Sequence, residues 1–161
     1  MATIERALQI AAEAHEGQTD KEGLPYILHP LRVMLLVDDP DGRIVAILHD
    51  VVEDTDVSLG VLQQAGFSET ILQAVRCVTH VRGESYADYV VRCRNNAIAK
   101  QVKLADLRDN ARLDRTIIRP QRIDADKRRI CKYLVSYKFL TDQIDESTYR
   151  ELMVDLEDPP Q

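Results

Sequence analysis

From Ile44 to Asp54 the chain reads Ile-Val-Ala-Ile-Leu-His-Asp-Val-Val-Glu-Asp, with apolar side chains at Ile44, Ile47, Leu48, Val51 and Val52. That i, i+3, i+4, i+7, i+8 spacing is one buried stripe of an α-helix, and it does not match the two-residue period of a strand. At roughly 100° per residue, His49, Asp50 and Glu53 cluster on the face opposite the stripe, with Ala46 among them leaving room. A nitrogen donor beside carboxylates suits a divalent cation of intermediate hardness, completed by a second His or Asp from elsewhere. The same pattern also describes an amphipathic helix with a solvated acidic face, so the run constrains the local fold before it constrains a function.

The helical period continues along the chain, and no stretch alternates like a strand bounded by hairpin turns. The fold expected is all-α, a single helical bundle of about eight helices over residues 1–156, with a disordered tail at 157–161 ending in Asp158-Pro-Pro-Gln. The first helix runs from a Thr3 N-cap to about Glu16, where Gly17 stops it. Pro30 suits the first turn of a short helix reaching Val37, which puts His29 at its N-cap or just outside. Asp38-Asp-Pro-Asp-Gly42 reads as a turn before the helix that carries His49. Ser58 and Ser68 open two further helices, Tyr86–Arg94 forms another, and helices at about 121–144 and 146–156 finish the chain.

The segment Ala97–Leu113 carries two apolar stripes, Ile98, Val102, Ala105 and Leu104, Leu107, Ala111, as expected of a central helix buried on two sides. Lys103, Asp106 and Asn110 lie between the stripes, within about 60° of arc. Polar groups flanked by apolar faces point into a cavity or a hydrogen-bonded network.

Composition narrows the classes. A chain of 161 residues with 45% hydrophobic content is long enough for one domain with a sizeable core. No apolar run approaches the ~20 residues of a membrane span, and the N-terminus enters an amphipathic pattern rather than a signal-peptide core, so a cytoplasmic protein is expected. Cys77, Cys93 and Cys131 are too widely spaced for a thiolate zinc site and read as reduced core residues. The net charge of −6 disfavours nonspecific nucleic-acid binding. Against that balance, Arg108, Arg112, Arg115, Arg119, Arg122, Lys127, Arg128 and Arg129 fall in one stretch, read either as a solvated face or as the lining of a polyanion site.

Taken together, His29-Pro30, His49-Asp50 and Asp106 supply two imidazoles and two carboxylates from three segments. This set resembles the HD-domain metal phosphohydrolases. Four motifs in register bring the resemblance to the hydrolase domain of the RelA/SpoT family and its small stand-alone homologues. They are Ala14-His15-Glu16-Gly17-Gln18, Gly23-Leu24-Pro25-Tyr26-Ile27-Leu28-His29-Pro30, Ile47-Leu48-His49-Asp50-Val51-Val52-Glu53-Asp54-Thr55, and Val102-Lys103-Leu104-Ala105-Asp106 with Asn110. The resemblance implies one metal ion, typically manganese, held by His29, His49, Asp50 and Asp106. It implies that Glu53 and Asp54 handle the nucleophilic water, and that the substrate is ppGpp, guanosine 3′,5′-bis(diphosphate), the nucleotide of the stringent response, which loses its 3′-diphosphate.

The chemistry suits these residues. An oxygen attacking a phosphoryl ester meets dense negative charge, so a cation must neutralise it and acidify the water. By helical spacing Glu53 shares a face with His49, whereas Asp54 sits nearer the buried stripe, which favours Glu53 as the group that positions or deprotonates water. Lys103 either contacts a phosphate or supports a carboxylate, and Asn110 either bonds substrate or orients a ligand. Tyr26 either stacks on a base or seals the core. His15 reads as a core histidine, His80 as a surface-loop residue, and Tyr86 and Tyr89 as packing residues.

Between Gln18 and Gly23 the guanosine-bis(diphosphate) hydrolases usually carry two adjacent basic residues. Here the pair is Asp20-Lys21, which leaves Lys21 alone to hold nucleotide phosphate. A second enzyme reading therefore keeps the metal site but takes another nucleotide or nicotinamide phosphoester, and a third is a nucleotide-binding regulatory module without turnover. The expected partner is a small-molecule nucleotide phosphate, with neither nucleic acid nor membrane involved; oligomeric state is not legible from the sequence.

Overall fold

Asp, Ser or Asn side chains accept the first free backbone N–H groups in six of the ten α-helical segments of the computed structural model, which describes residues 2–114 and 118–157. The segments are α1 (Ile4–Ala14), α2 (Leu28–Leu35), α3 (Pro40–Leu48), α4 (Val51–Asp54), α5 (Leu59–Gln64), α6 (Glu69–Val78), α7 (Tyr86–Arg94), α8 (Ala97–Asn110), α9 (Ile123–Leu140) and α10 (Glu146–Val154). A 3-10 turn, Pro120–Arg122, leads into α9. Among the described residues there is no strand, only an isolated bridge between Thr19 and Pro25.

The all-α expectation holds, and the boundaries move in informative ways. α2 begins at Leu28, so His29 lies inside the first turn rather than at its cap. Backbone N–H groups of Leu28 and His29 bond to the Pro25 and Tyr26 carbonyls, and Pro30 is tolerated because first-turn residues need no helical N–H partner. Asp39 and Pro40 do not form a turn before α3. Asp39 caps it, accepting from Gly42 at 2.7 Å, and Pro40 is its first residue.

The helix expected to run through His49 breaks there into α3 and α4, which is one reason the segments outnumber the eight expected. His49 Nδ1 lies 2.7 Å from the Ala46 carbonyl, the acceptor that the Asp50 N–H would use in an unbroken helix. A new turn starts with Asp54 N–H bonding to the Asp50 carbonyl. α8 ends at Asn110, and Leu113 is exposed. α9 ends at Leu140, where Asp142 takes a left-handed φ of 59° and its carboxylate meets Arg94 and Lys100. Glu157, expected in the tail, accepts the backbone N–H groups of Tyr86 and Ala87 at the start of α7; residues 158–161 and Arg115 lie outside the described residues.

α8 is central, packed against α2, α3, α6, α7 and α9, with α1 on α3 and α10 on α7 and α9. Its Val102, Ala105 and Leu107 are buried with Ile47, Leu48, Val51, Val75 and Val90. At the far end Phe139 and Tyr149 stack at 4.4 Å between ring centres. This framework presses the polar side of α8 against the N-terminus of α2 and the α3–α4 break. No helix of the described residues is long and apolar enough to cross a membrane.

Candidate active site

Two imidazoles face each other across this junction, His29 from α2 and His49 from the end of α3, with ring centres 5.1 Å apart. Both are buried, at 6% and 4% exposure. Each is tied through Nδ1. His49 Nδ1 donates to the Ala46 carbonyl, and His29 Nδ1 lies 2.8 Å from Asp109 Oδ2. Both Nε2 atoms therefore point inward. His29 Nε2 is 3.3 Å from Asp106 Oδ1 and 3.6 Å from Asp50 Oδ2, and His49 Nε2 is 3.0 Å from Asp50 Oδ2 and 3.9 Å from Asp106 Oδ1.

The donor set fits a cation. His49 Nε2 is buried and has no hydrogen-bond partner although Asp50 Oδ2 lies 3.0 Å away, an orphaned polar atom that a shared cation would satisfy. Ligating atoms of His29, His49 and Asp50 lie within 4.8 Å of one another. Donors about 2.1 Å from a shared ion sit about 3 Å apart when adjacent, close to the separations seen. Two imidazoles and two carboxylates match an ion of intermediate hardness.

The surrounding carboxylates raise the basicity of both imidazoles. Burial lowers the basicity of His29, but Asp106, Asp109 and Asp50 outweigh it and lift its pKa to about 9. His49 is raised likewise, against burial, chiefly by Asp50. Burial works against ionisation of Asp50, yet His49 and His29 hold its pKa down at about 2. Asp106 is lowered against burial by Lys103 and the imidazoles.

The carboxylates are braced in turn. Lys103 Nζ lies 2.8 Å from Asp106 Oδ2, its ammonium 4.8 Å from the Tyr89 ring centre and 5.6 Å from that of Tyr86. Asn110 Nδ2 donates to Asp106 Oδ1. Tyr26 donates its hydroxyl to Asp50 Oδ2 at 2.5 Å and reaches Asp54 Oδ2 at 3.4 Å. Burial and the charge of Asp50 push the Tyr26 pKa up, so the phenol stays protonated.

This cluster forms part of a cavity of about 480 Å³, whose lining includes Thr19, Asp20, Lys21, Glu22, Tyr26, His29, Asp50, Glu53, Asp54, Asp106 and Asn110, closed by Arg129, Ile130 and Tyr133 of α9. Glu53 Oε2 accepts the His80 backbone N–H at 2.8 Å, and burial raises the Glu53 pKa. Burial and the Asp50 charge raise that of Asp54.

The structure thus brings together His29, His49, Asp50, Asp106, Glu53, Asp54, Tyr26, Asn110 and Lys21 around one space. Two of the predicted residues do not line the cavity itself: His49 is buried behind Asp50, 3.0 Å from its Oδ2, and Lys103 is buried against Asp106. Asp54, placed near the buried stripe by ideal spacing, is exposed on the cavity wall, because the break at His49 re-aims the turn. Tyr26 lines the cavity with its ring beside His15 and His29, and its hydroxyl is bonded to Asp50. His80 positions Glu53 through its backbone and bonds its own ring to the Glu84 carbonyl. Of the basic stretch, Arg129 reaches the cavity. Asp109 and Arg32 escaped sequence reasoning; Asp109 is fully buried and takes Arg32 Nε at 2.8 Å. Its one sequence signal was an acid three residues after Asp106, inside a helix otherwise buried on two sides.

The HD domain family profile matches residues 7–111. The chain is 33% identical over 121 residues to a guanosine-3′,5′-bis(diphosphate) 3′-pyrophosphohydrolase of Aquifex aeolicus, an overlap covering 68% of this chain and 17% of that protein. It is 37% identical over 129 residues to a GTP pyrophosphokinase of Streptomyces coelicolor, covering 72% and 15%, and 33% identical over 89 residues to the bifunctional (p)ppGpp synthase/hydrolase SpoT of Escherichia coli, covering 53% and 12%. The overlap therefore spans less than a fifth of the length of these relatives. A solved structure of a metazoan ortholog of SpoT, described as hydrolysing ppGpp and acting in starvation responses, superposes with a TM-score of 0.67 at 28% identity, covering 96% of both chains.

Proposed function

This chain belongs to the HD-domain family, and from that premise we propose that it is a manganese-dependent phosphohydrolase that removes the 3′-diphosphate of guanosine 3′,5′-bis(diphosphate). The observation that carries the reading is the convergence of His29, His49, Asp50 and Asp106 beside a cavity that Glu53 and Asp54 also line. Its support from outside the chain is the metazoan SpoT ortholog, which matches nearly end to end.

His29, His49, Asp50 and Asp106 would hold the ion. A divalent cation bound there neutralises phosphoryl charge and makes water a better nucleophile at neutral pH. Glu53 is the general base: burial raises its pKa, which strengthens it as a proton acceptor. The His80 N–H fixes one carboxylate oxygen, and the other is the one assigned to water. Asp54, also raised in pKa and within reach of the Tyr26 hydroxyl, delivers the proton that the departing ribose 3′-oxygen requires. Lys21, Asn110 and Arg129 line the cavity and are the side chains assigned to phosphate oxygens. Lys103 is assigned to holding Asp106 as an anion, not to substrate.

Metal analysis of purified protein with product identification by mass tests this. Manganese-dependent release of pyrophosphate from the guanosine nucleotide, lost in His49→Ala and Asp50→Ala, is the expected result; equal rates in wild type and variants would end the reading. One observation favours a second substrate: Asp20 and Glu22 flank Lys21 on the cavity wall, an acidic setting for a tetraphosphorylated nucleotide. A panel of nucleotide and nicotinamide phosphoesters run on wild type and Asp20→Arg separates the two.

A further inference from the structure

His29 is gripped from both sides by one turn of α8. Asp106 lies 3.3 Å from its Nε2, and Asp109, three residues later on the same helix, lies 2.8 Å from its Nδ1. The two carboxylates differ in company. Asp106 borders the cavity, whereas Asp109 is fully buried, does not line it, and is bracketed by Arg32 through Nε at 2.8 Å and Nη2 at 3.2 Å. Arg32 is one helical turn after His29 on α2, so two residues of α2 meet one carboxylate of α8. A buried carboxylate without a counter-charge is costly, and the two-pronged guanidinium removes that cost while fixing the carboxylate plane.

We propose that Asp109, held in place by Arg32, is the positioning residue that keeps His29 in the tautomer and orientation able to ligate the ion. A metal-binding imidazole needs a free lone pair on one nitrogen and a hydrogen-bond acceptor for the other. Asp109 is that acceptor for Nδ1, which leaves Nε2 as the ligating atom. The arginine matters as much as the acid. Its two-pronged contact fixes the plane of the Asp109 carboxylate and so the direction from which Nδ1 is held. His49 obtains the same tautomer from the Ala46 carbonyl, a neutral acceptor that needs no counter-ion. The two ligands are thus set by different devices, and one can be removed without the other.

The inference rests on the proposed metal site but not on its reaction, so its test reads binding rather than turnover. Manganese affinity is measured by calorimetry on wild type, Asp109→Ala, Asp109→Asn and Arg32→Gln, and nitrogen couplings to bound manganese by electron spin-echo spectroscopy. Wild type should show two imidazole nitrogens. Asp109→Ala should bind about 10- to 100-fold more weakly and retain only the His49 coupling, with Asp109→Asn and Arg32→Gln falling between. A merely structural role weakens both couplings together, or neither, and either result overturns the proposal. So does unchanged affinity with both couplings intact in Asp109→Ala. If wild type binds manganese with two nitrogens but hydrolyses nothing, the proposed reaction fails while the role of Asp109 stands.

Discussion

The floor and the rim of the cavity are built on opposite principles. On the floor, each proposed ligand is held by at least one further group: His29 by Asp109, His49 by the Ala46 carbonyl, Asp50 by Tyr26, and Asp106 by Lys103 and Asn110. On the rim, residues 19–25 form a loop closed on itself, in which Asp20 Oδ1 accepts the backbone N–H groups of Glu22 and Leu24, and Gly23 takes a φ of +80°. Lys21 and Glu22 stand exposed on that loop. A braced floor commits the molecule to one kind of chemistry, whereas a self-contained rim can exchange side chains without disturbing it.

The sharpest way to break the contrast is to remove a ligand from the floor. Asp50→Ala should lower hydrolysis by roughly three orders of magnitude or more, since the cation and the charge it neutralises are lost together; metal content per chain should fall with it. Glu53→Gln keeps the floor intact and should cost roughly 10²- to 10⁴-fold in kcat, with manganese still bound at full stoichiometry. That split between binding and turnover separates ligand from base.

Bracing predicts a cost in stability as well. Lys103→Met leaves Asp106 charged and buried without its ammonium, and breaking a buried pair in this way costs about 3–5 kcal/mol, measurable by denaturant titration of the metal-free protein. The same floor sets a pH dependence. The folded-state pKa of His29 is raised from 6.5 to about 9, so its contribution to stability is complete below pH 6.5 and is lost as pH climbs through about 9. The Tm of metal-free protein should therefore decline across that window. Manganese-loaded protein should trend the other way, because a proton must leave Nε2 before the cation can take its place.

How much of this was legible in the sequence follows the same division. Helical spacing placed the apolar stripes, and Ser58 and Ser68 marked two helix starts, because both signals are local; Thr3, read as a third cap, makes no side-chain bond to α1. Lys103, Asp106 and Asn110 fell on one side of α8 as their spacing required. The break at His49 was not legible, since it depends on an imidazole capturing its own helix's carbonyl. Asp109 and Arg32 were invisible for another reason: they meet across 77 residues of chain, and no local period encodes that encounter. Asp20 looked like a lost phosphate ligand and proves to organise the loop backbone.

The rim should yield the smallest effects. Asp20→Asn, which keeps an acceptor for the loop, should change KM by about twofold at most, and Asp20→Arg should lower it by about fivefold for a polyphosphorylated nucleotide, the equivalent of about 1 kcal/mol from a solvent-exposed charge. A rim substitution that altered kcat as severely as loss of Glu53 would erase the distinction drawn between the two regions.

The most direct measurement is anomalous diffraction at the manganese edge from crystals grown with the metal. The account predicts a single strong peak within bonding distance of His29 Nε2, His49 Nε2, Asp50 and Asp106. A protein that holds its manganese elsewhere, or leaves those four groups joined only to each other under saturating metal, would contradict it.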